Sequence, residues 1–128
     1  MIEIYTDGSC INTSGGWAFI MILNDIEYHI SGGEKNTTNN RMELQAVIES
    51  LTFQVDFEYE IKTYKIYTDS QLTLNCAKGV WKRKANLDLW KIYDEISRGK
   101  EIQWEWVKAH NGNPYNELVD KLAKEQAK

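Results

Sequence analysis

The tetrapeptide Ile-Tyr-Thr-Asp occurs twice in the chain, at residues 4–7 and again at residues 66–69. Each copy is rich in the β-branched and aromatic residues that favour strands, and each is followed by small or polar turn residues. If the two strands lie side by side and parallel, Asp7 and Asp69 end about one strand spacing apart, roughly 4.8 Å. Two carboxylates that close repel each other and need a proton or a cation between them. The repeat therefore predicts a parallel strand pair that carries a divalent metal site.

The first part of the chain has the spacing of an antiparallel meander. Strands are predicted at residues 2–7, 17–23 and 26–30, with Gly15-Gly16 opening the second strand and Gly32-Gly33 ending the third. In the first strand, Ile2, Ile4 and Thr6 alternate with Glu3, Tyr5 and Asp7, which predicts two distinct faces. The connections are too short for a crossover, so neighbouring strands are expected to run antiparallel.

The rest of the chain alternates helical and strand patterns. A helix carrying Leu44 to Leu51 is preceded by possible caps at residues 37–40, and it leads to a fourth strand at 64–68, expected to run parallel to the first. The pattern then predicts a helix at about 70–78 and another that carries Leu89 to Ile96 and stops near Gly99. It also predicts a fifth strand at 102–106 and a last helix begun by Asn113-Pro114. Leu118, Leu122 and Ala123 are expected to point inward from that last helix. The predicted fold is α/β, a mixed five-stranded sheet of three antiparallel and then two parallel strands, flanked by helices on both faces.

Length and composition limit the class of protein. The 128 residues correspond to a single domain, 1–128, and 15 basic against 19 acidic side chains give a net charge of −4, which argues against binding nucleic acid by bulk electrostatics. No apolar run approaches a membrane span, and the first residues lack the features of a signal peptide. The two cysteines have no metal-ligand spacing, so reduced thiols and a cytoplasmic location without membrane association are expected.

Acidic residues in two of the predicted helices can join the two aspartates. Glu43 lies in the predicted first turn of the first long helix, beside the apolar Leu44 and after the run Asn39-Asn40-Arg41. Asp120 lies in the last helix, with Glu117 about one turn earlier. An all-oxygen cluster of this kind suits magnesium or manganese rather than zinc. Four carboxylates exceed what one magnesium ion usually takes, so a two-metal site for phosphoryl displacement is predicted.

Four blocks of this sequence resemble the type 1 ribonucleases H. They are residues 5–10 (Tyr-Thr-Asp-Gly-Ser-Cys), 38–44 (Thr-Asn-Asn-Arg-Met-Glu-Leu), 68–71 (Thr-Asp-Ser-Gln), and 104–110 (Trp-Glu-Trp-Val-Lys-Ala-His) continuing to Pro114, Asn116-Glu117 and Asp120. The blocks occur in the order of that family and span the chain. The resemblance implies the ribonuclease H-like fold and an endonuclease that hydrolyses the RNA strand of RNA–DNA hybrids, leaving 5′-phosphate and 3′-hydroxyl ends.

The resemblance also implies roles for particular residues. Asp7, Glu43, Asp69 and Asp120 match the family's metal-binding carboxylates for two Mg²⁺ ions, which Mn²⁺ can replace. His110 matches a loop histidine associated with proton transfer and product departure, and Glu117 matches an acid near the second metal. The residues that match substrate-contacting positions are Cys10, Asn12, Asn40 and Gln71 for the RNA strand, Thr38, Asn39 and Asn86 for the DNA strand, and Trp81 for a DNA sugar. Core packing is assigned to Trp104 or Trp106 instead.

The sequence departs from the family at several places, including the loop after Cys10, which lacks the family's usual proline-glycine run. Only the short basic segment 79–85 remains of a long basic protrusion that many bacterial members carry, and its Lys82, Arg83 and Lys84 are the candidate phosphate contacts. The acidic stretch 54–63 is longer than is common, and no function is predicted for it. The expected partner is an RNA–DNA hybrid, with a monomeric protein and no protein partner.

Two other functions fit parts of the pattern. A resolvase or an integrase-type strand transferase would use a similar carboxylate cluster, but it would leave the RNA-contacting asparagines unexplained. A catalytically inactive nucleic-acid-binding module would gain nothing from four acids beside phosphates. Cleavage of a labelled hybrid with and without magnesium distinguishes these alternatives.

Overall fold

The computed structural model describes residues 1–53 and 63–128, so the acidic stretch lies outside the described residues except for Thr63. The elements in chain order are β1 (Ile2–Ile11), β2 (Ser14–Leu23), β3 (Ile26–Lys35), α1 (Asn39–Thr52), β4 (Thr63–Thr68), α2 (Gln71–Ala77), α3 (Leu87–Ser97), β5 (Glu101–Trp106) and α4 (Pro114–Ala127). No helix within these two ranges is long and apolar enough to cross a membrane.

The strands form one mixed sheet in the order β3-β2-β1-β4-β5. The pairs β1–β2 and β2–β3 are antiparallel, whereas β1–β4 and β4–β5 are parallel, which confirms the predicted sheet. Ile4 lies opposite Ile66 and Tyr5 lies opposite Tyr67. The two copies of the repeated tetrapeptide are therefore neighbours in register, and their aspartates reach the same end of the sheet.

Three strands extend further than the sequence pattern predicted, and β2 begins at Ser14 instead of residue 17. The prediction that Asp7 closes a strand was wrong, because β1 stays paired with β2 as far as Ile11 opposite Ser14. Likewise β3 continues through Gly32-Gly33 to Lys35. A glycine is needed at position 32 because a Cβ there would lie 2.4 Å from the ring of Trp17 on β2. Gly32 therefore makes room for the Trp17 ring of the neighbouring strand, and Gly33 makes room for the Gln126 carbonyl of α4. Neither glycine ends β3.

Helices cover both faces of the sheet. Ile2 and Ile4 of β1 join a large core with α1 and α3, and Tyr5 joins a smaller core under α4. The predicted alternation of faces in β1 thus holds. In α4 the fully buried apolar residues are Val119, Ala123 and Ala127, whereas Leu118 and Leu122 are only half-buried at the edge of that core.

Side-chain caps set where the two site-bearing helices begin. The hydroxyl of Thr38 accepts a hydrogen bond from the Arg41 backbone N–H, which starts α1 at Asn39. Glu43 is therefore the fifth residue of α1. The prediction that Glu43 lies in the first turn of this helix was wrong. Asn113 caps α4 through the Asn116 backbone N–H, and Pro114 follows at the first helical position, as expected.

Candidate metal and nucleic-acid site

The parallel strands bring Asp7 and Asp69 together. Pairing of β4 with β5 ends at Thr68 opposite Trp106, and Asp69 is the first residue beyond the ladder. The Val107 backbone N–H donates to the Thr68 carbonyl at 2.8 Å, and the Trp106 indole N–H donates to the Asp69 carbonyl at 3.1 Å. Asp69 thus leaves the strand with its backbone held on both sides.

A close approach of α1 to β1 adds a third carboxylate. At Gly8 the helix passes so near the strand that a Cβ would lie 2.2 Å from the Glu43 backbone nitrogen. The Gly8 backbone N–H donates to Oε1 of Glu43, which holds that side chain over the strand. Only glycine permits this crossing, and the crossing delivers Glu43 beside Asp7.

The three carboxylates form a compact cluster. Asp7, Glu43 and Asp69 each offer an oxygen within 4.8 Å of the others. Asp7 and Glu43 are 3% and 5% exposed, and Asp69 is half-buried. Within the described part of the chain, Oδ2 of Asp7 is buried without a hydrogen-bond partner. A buried acceptor without a hydrogen-bond partner destabilises the folded protein by about 1–3 kcal/mol, and a cation bound to this oxygen would remove that destabilisation.

The electrostatics of the cluster also favour a bound cation. Burial raises the pKa of Asp7 far above its ordinary value, and the neighbouring Glu43 charge raises it further. Burial likewise raises the pKa of Glu43 and of Asp69, and the charge of Asp120 adds to the effect on Asp69. The three groups therefore resist ionising together. A hard divalent cation bound to these oxygens would offset both the cost of burying the charges and the repulsion between them. The residues therefore fit the metal that the sequence predicted.

Asp120 and His110 lie at the same end of the sheet but outside this trio. Asp120 projects from α4, and its Oδ2 accepts from the Lys124 ammonium at 3.0 Å. Lys124 was not predicted, although its position four residues after Asp120 places both on one helix face. His110 is exposed in the loop between β5 and α4, with a left-handed backbone at φ 55°. Glu117 is exposed in the first turn of α4.

These side chains surround one open cleft of about 450 Å³. The predicted site residues that line it are Asp7, Asn39, Asn40, Glu43, Asp69, Gln71, His110 and Asp120. Lys124 also lines it. Six other predicted site residues do not line this cleft, as far as the described ranges show: Cys10, Asn12, Thr38, Trp81, Asn86 and Glu117.

A second, smaller hollow adjoins the cleft through Asn40. It has a volume of about 210 Å³ and lies between α1, α2 and the basic segment, with Asn86 on its wall. The Arg41 guanidinium donates to Oδ1 of Asn86 at 3.2 Å and to both carboxylate oxygens of Asp88 at 3.0 Å. Arg41 therefore links α1 to α3 and positions Asn86, a role that the sequence did not indicate.

Cys10 lies near the end of β1, opposite Gly15, and Asn12 lies in the β1–β2 turn. The Cys10 thiol donates to the Asn12 carbonyl at 3.0 Å, and Asn12 is exposed with a left-handed backbone at φ 58°. The two residues are therefore in contact at the far end of β1 from Ile2.

The basic segment differs from expectation at Arg83. Its guanidinium donates to the Cys76 carbonyl at 3.1 Å and to Asp94 at 2.7 Å, and it lies 4.3 Å from the centre of the Trp90 ring. Contacts within the protein therefore occupy Arg83, whereas Lys82 and Lys84 are exposed.

The tryptophans were only partly assigned correctly. Trp104 packs against the large core, with its ring 6.4 Å from that of Tyr93 on α3. The alternative assignment of Trp106 to the core was wrong, because its side chain is exposed at the end of the edge strand β5. Trp81 is exposed as well, as expected for a surface contact.

Comparison with known proteins identifies the family. The RNase H family model matches residues 1–128, the whole of this chain. The chain belongs to the RNase H family. A Ribonuclease HI of Campylobacter jejuni is 45% identical over 136 aligned positions, which cover 98% of this chain and 90% of that protein. A Ribonuclease H of Treponema denticola is 41% identical and covers 97% of this chain and 95% of its own length. The predicted family and enzyme class, an endoribonuclease, are thus confirmed.

Solved structures agree with the fold. LC9-RNase H1, described as a type 1 RNase H with the type 2 active-site motif, superposes with a TM-score of 0.83 at 26% identity over 98% of this chain and 71% of that one. The N-terminal RNase H domain of a Mycobacterium tuberculosis protein gives 0.84 at 22% identity, covering 98% of this chain and 92% of the solved chain. The RNase H-like fold expected from the sequence is therefore confirmed.

Proposed function

We propose that this RNase H family member is an endonuclease that hydrolyses the RNA strand of RNA–DNA hybrids and leaves 5′-phosphate and 3′-hydroxyl ends. The observation that carries the proposal is the compact cluster of Asp7, Glu43 and Asp69 at the floor of an open cleft. The relatives named Ribonuclease H, at 41–45% identity, support the same activity.

The acids of the cleft are the proposed metal ligands. Asp7, Glu43 and Asp69 would hold one Mg²⁺, and Asp120, with Glu117 in the adjacent turn, would complete the site of a second. Mn²⁺ takes the same oxygen ligands and can replace Mg²⁺. Two bound ions stabilise the attacking and leaving oxygens of an in-line phosphoryl displacement. For Asp7, Glu43 and Asp69, the contribution of the chain is the backbone that holds their oxygens within 4.8 Å of one another.

The amides at the cleft are proposed to recognise the RNA strand. Asn40 and Gln71 line the cleft and are exposed, so their side chains can both donate to and accept from a 2′-hydroxyl. Cys10 and Asn12 would extend this contact along the β1–β2 turn. Asn39, Thr38 and Asn86 would face the DNA strand, the last two around a phosphate, while Trp81 would lie along a DNA sugar.

A panel of duplexes tests the proposal. The substrates are an RNA–DNA hybrid, duplex DNA and duplex RNA of one sequence, each with Mg²⁺ or with EDTA. We expect Mg²⁺-dependent cleavage of the RNA strand of the hybrid alone, with 5′-phosphate ends. Comparable cleavage of duplex DNA would favour the resolvase alternative, and binding without cleavage of any duplex would favour an inactive binding module.

His110 is proposed to act in proton transfer and product departure, because it lines the cleft from an exposed loop. His110→Ala should lower kcat by about 10²–10⁴-fold at most, since water can replace part of the function of an exposed group. His29→Ala is the matched control, because that histidine lies on the edge strand β3, away from the cleft. Single-turnover rates measured from pH 6 to 9 check the assignment, and parental rates across that range would exclude it.

Lys82 and Lys84 are proposed to contact phosphates of the hybrid. On B-DNA each neutralised phosphate contributes about −0.9 to the slope of log affinity against log salt. Replacing both lysines by glutamine should weaken binding and flatten that slope by up to about 2 in total. Lys121→Gln on α4 combined with Lys128→Gln at its C-terminal cap removes the same charge elsewhere and should leave the slope nearly unchanged. The measurement is a salt titration of hybrid binding with Ca²⁺ in place of Mg²⁺, and equal slopes for the two double variants would contradict the assignment.

A further inference from the structure

Trp106 is a large aromatic side chain that neither core uses. It is 44% exposed at the end of β5, beside the carboxylate cluster. Isolated exposed aromatic residues are common on protein surfaces. Trp106 differs from these because its one polar atom, the indole N–H, is directed to the backbone carbonyl of Asp69 at 3.1 Å.

The position of this hydrogen bond is informative. Thr68 is the last residue of β4 that pairs with β5, and its carbonyl accepts from the Val107 N–H at 2.8 Å. Asp69 lies one residue further, where no strand-to-strand bond fixes the chain within the described ladder. The indole N–H extends the ladder by one side-chain hydrogen bond, and it does so at the residue that bears a cluster carboxylate.

The consequence for Asp69 follows from backbone geometry. The peptide unit before its Cα is fixed by the end of the β4 ladder. The peptide unit after its Cα is held at its carbonyl by the Trp106 indole N–H, and its Ser70 N–H donates to the Thr68 hydroxyl at 3.0 Å. Since peptide units are planar, holding both leaves a single direction for the Cα–Cβ bond. A ligand supported in this way meets a cation without having to be ordered first, which is the general effect of groups that orient metal ligands.

We propose that Trp106 is a positioning residue: by holding the Asp69 carbonyl it aims the Asp69 carboxylate at Asp7 and Glu43, and so sets the metal affinity of the cluster. This inference rests on the proposed metal-dependent function. In this role Trp106 does not contact the reacting atoms and does not belong to the core. Two other roles for the side chain, simple packing and direct substrate contact, give different results in the experiment below.

The experiment compares Trp106→Phe with Trp81→Phe. Each change removes one indole N–H from a side chain of nearly equal exposure, 44% and 45%. Mg²⁺ binding is measured by calorimetry without nucleic acid, and Tm is measured in EDTA. The kcat and KM for the hybrid are then obtained across Mg²⁺ concentrations.

We expect Trp106→Phe to raise the Kd for Mg²⁺ about tenfold, the lower end of the usual effect of an orienting group. The Mg²⁺ concentration for half-maximal cleavage should rise by the same factor, while Tm in EDTA and KM for the hybrid stay close to parental values. Trp81→Phe should leave the Kd for Mg²⁺ unchanged and act on KM, as its proposed DNA contact requires.

Equal Mg²⁺ affinity in the two variants, or a Trp106→Phe effect confined to KM, would overturn the inference. If Trp106→Phe fails to fold, replacing Trp106 by 3-benzothienylalanine keeps the ring shape and substitutes sulfur for the N–H; parental Mg²⁺ affinity in that protein would likewise overturn it. A parent protein that neither binds Mg²⁺ nor cuts the hybrid would disprove the metal site itself, and this inference with it. The two failures are distinguished by the behaviour of the parent.

Discussion

Replacing Asp7 by asparagine should abolish hybrid cleavage and at the same time stabilise the metal-free protein. The loss of cleavage follows because an amide is isosteric with the carboxylate but carries no charge to hold the metal. Metal ions supply several kcal/mol of charge stabilisation to such reactions, so we expect kcat to fall by at least about 10³-fold. Asp69→Asn should have a similar effect on cleavage.

The gain in stability follows from the raised pKa of Asp7. Burial and the nearby Glu43 charge hold this pKa above its value in the unfolded chain. The contribution of Asp7 to stability is thus most favourable below pH 4, where the group is protonated in both states, and is lost progressively as the pH rises towards the folded-state pKa. At neutral pH the metal-free parent already carries part of this cost, because the folded protein retains the Asp7 proton that the unfolded chain releases. Asp7→Asn removes that part of the cost.

Thermal unfolding in EDTA at pH 4 and pH 7 measures this effect. Asp7→Asn should exceed the parent in Tm at pH 7 by several degrees, at roughly 4 °C per kcal/mol for a domain of this size, and by much less at pH 4. Glu125→Gln, an exposed acid on α4, is the charge-matched control and should change little. Saturating Mg²⁺ should raise the Tm of the parent but not that of Asp7→Asn. A variant less stable than the parent at pH 7 in EDTA would contradict this account of the cluster.

Gly8→Ala should damage both the fold and the metal site. The added Cβ would lie 2.2 Å from the Glu43 nitrogen and 2.3 Å from the Met42 carbonyl carbon, and backbone atoms cannot yield as a side-chain end can. Overpacking of this kind costs about 1–3 kcal/mol and sometimes more. Because the displaced segment carries Glu43, we also expect weaker Mg²⁺ binding and slower cleavage in the fraction that folds.

Gly33→Ala provides the matched control for that substitution. Gly33 also lies in a strand of the sheet, but its nearest contact for an added Cβ is the Gln126 carbonyl at 3.0 Å, away from the cluster. Urea unfolding gives the free energy of unfolding for each variant, and calorimetry gives the Mg²⁺ affinity. Gly8→Ala should be the less stable and the weaker in Mg²⁺ binding. If it matched Gly33→Ala in both, the close crossing of α1 would not position Glu43.

Much of the fold could be predicted because its determinants are local or repeated. The alternation in β1, the short turns of the meander and the Asn113-Pro114 helix start all depend on neighbouring residues, and each was found where expected. The repeated tetrapeptide allowed a non-local prediction as well, because identical strands can align in register at Ile4 and Ile66. The limits of β1 and β3 were misjudged because glycines there serve contacts with other elements, which periodicity does not reveal.

The sequence indicated which acidic residues form the site, but not how their side chains are arranged. Residue types and spacing indicated an oxygen cluster, yet they did not reveal that Asp120 pairs with Lys124 or that the trio is closed by a hydrogen bond from Gly8. Arg83 was expected at a phosphate because its sequence neighbours are basic, whereas its actual partners, Cys76 and Asp94, lie on α2 and α3. The assignment of Trp106 failed for the same reason, since an alternating strand pattern does not tell where the covering helices end.

The most direct test of the central claim is cleavage of one hybrid labelled on both strands, with the parent and Asp7→Asn assayed side by side from zero to saturating Mg²⁺. The account predicts that the parent cuts only the RNA strand, that cutting requires Mg²⁺, and that Asp7→Asn leaves both strands intact at every concentration while still binding the hybrid in Ca²⁺. Cleavage by Asp7→Asn at the parental rate, or cleavage of the RNA strand by the parent in EDTA, would contradict it.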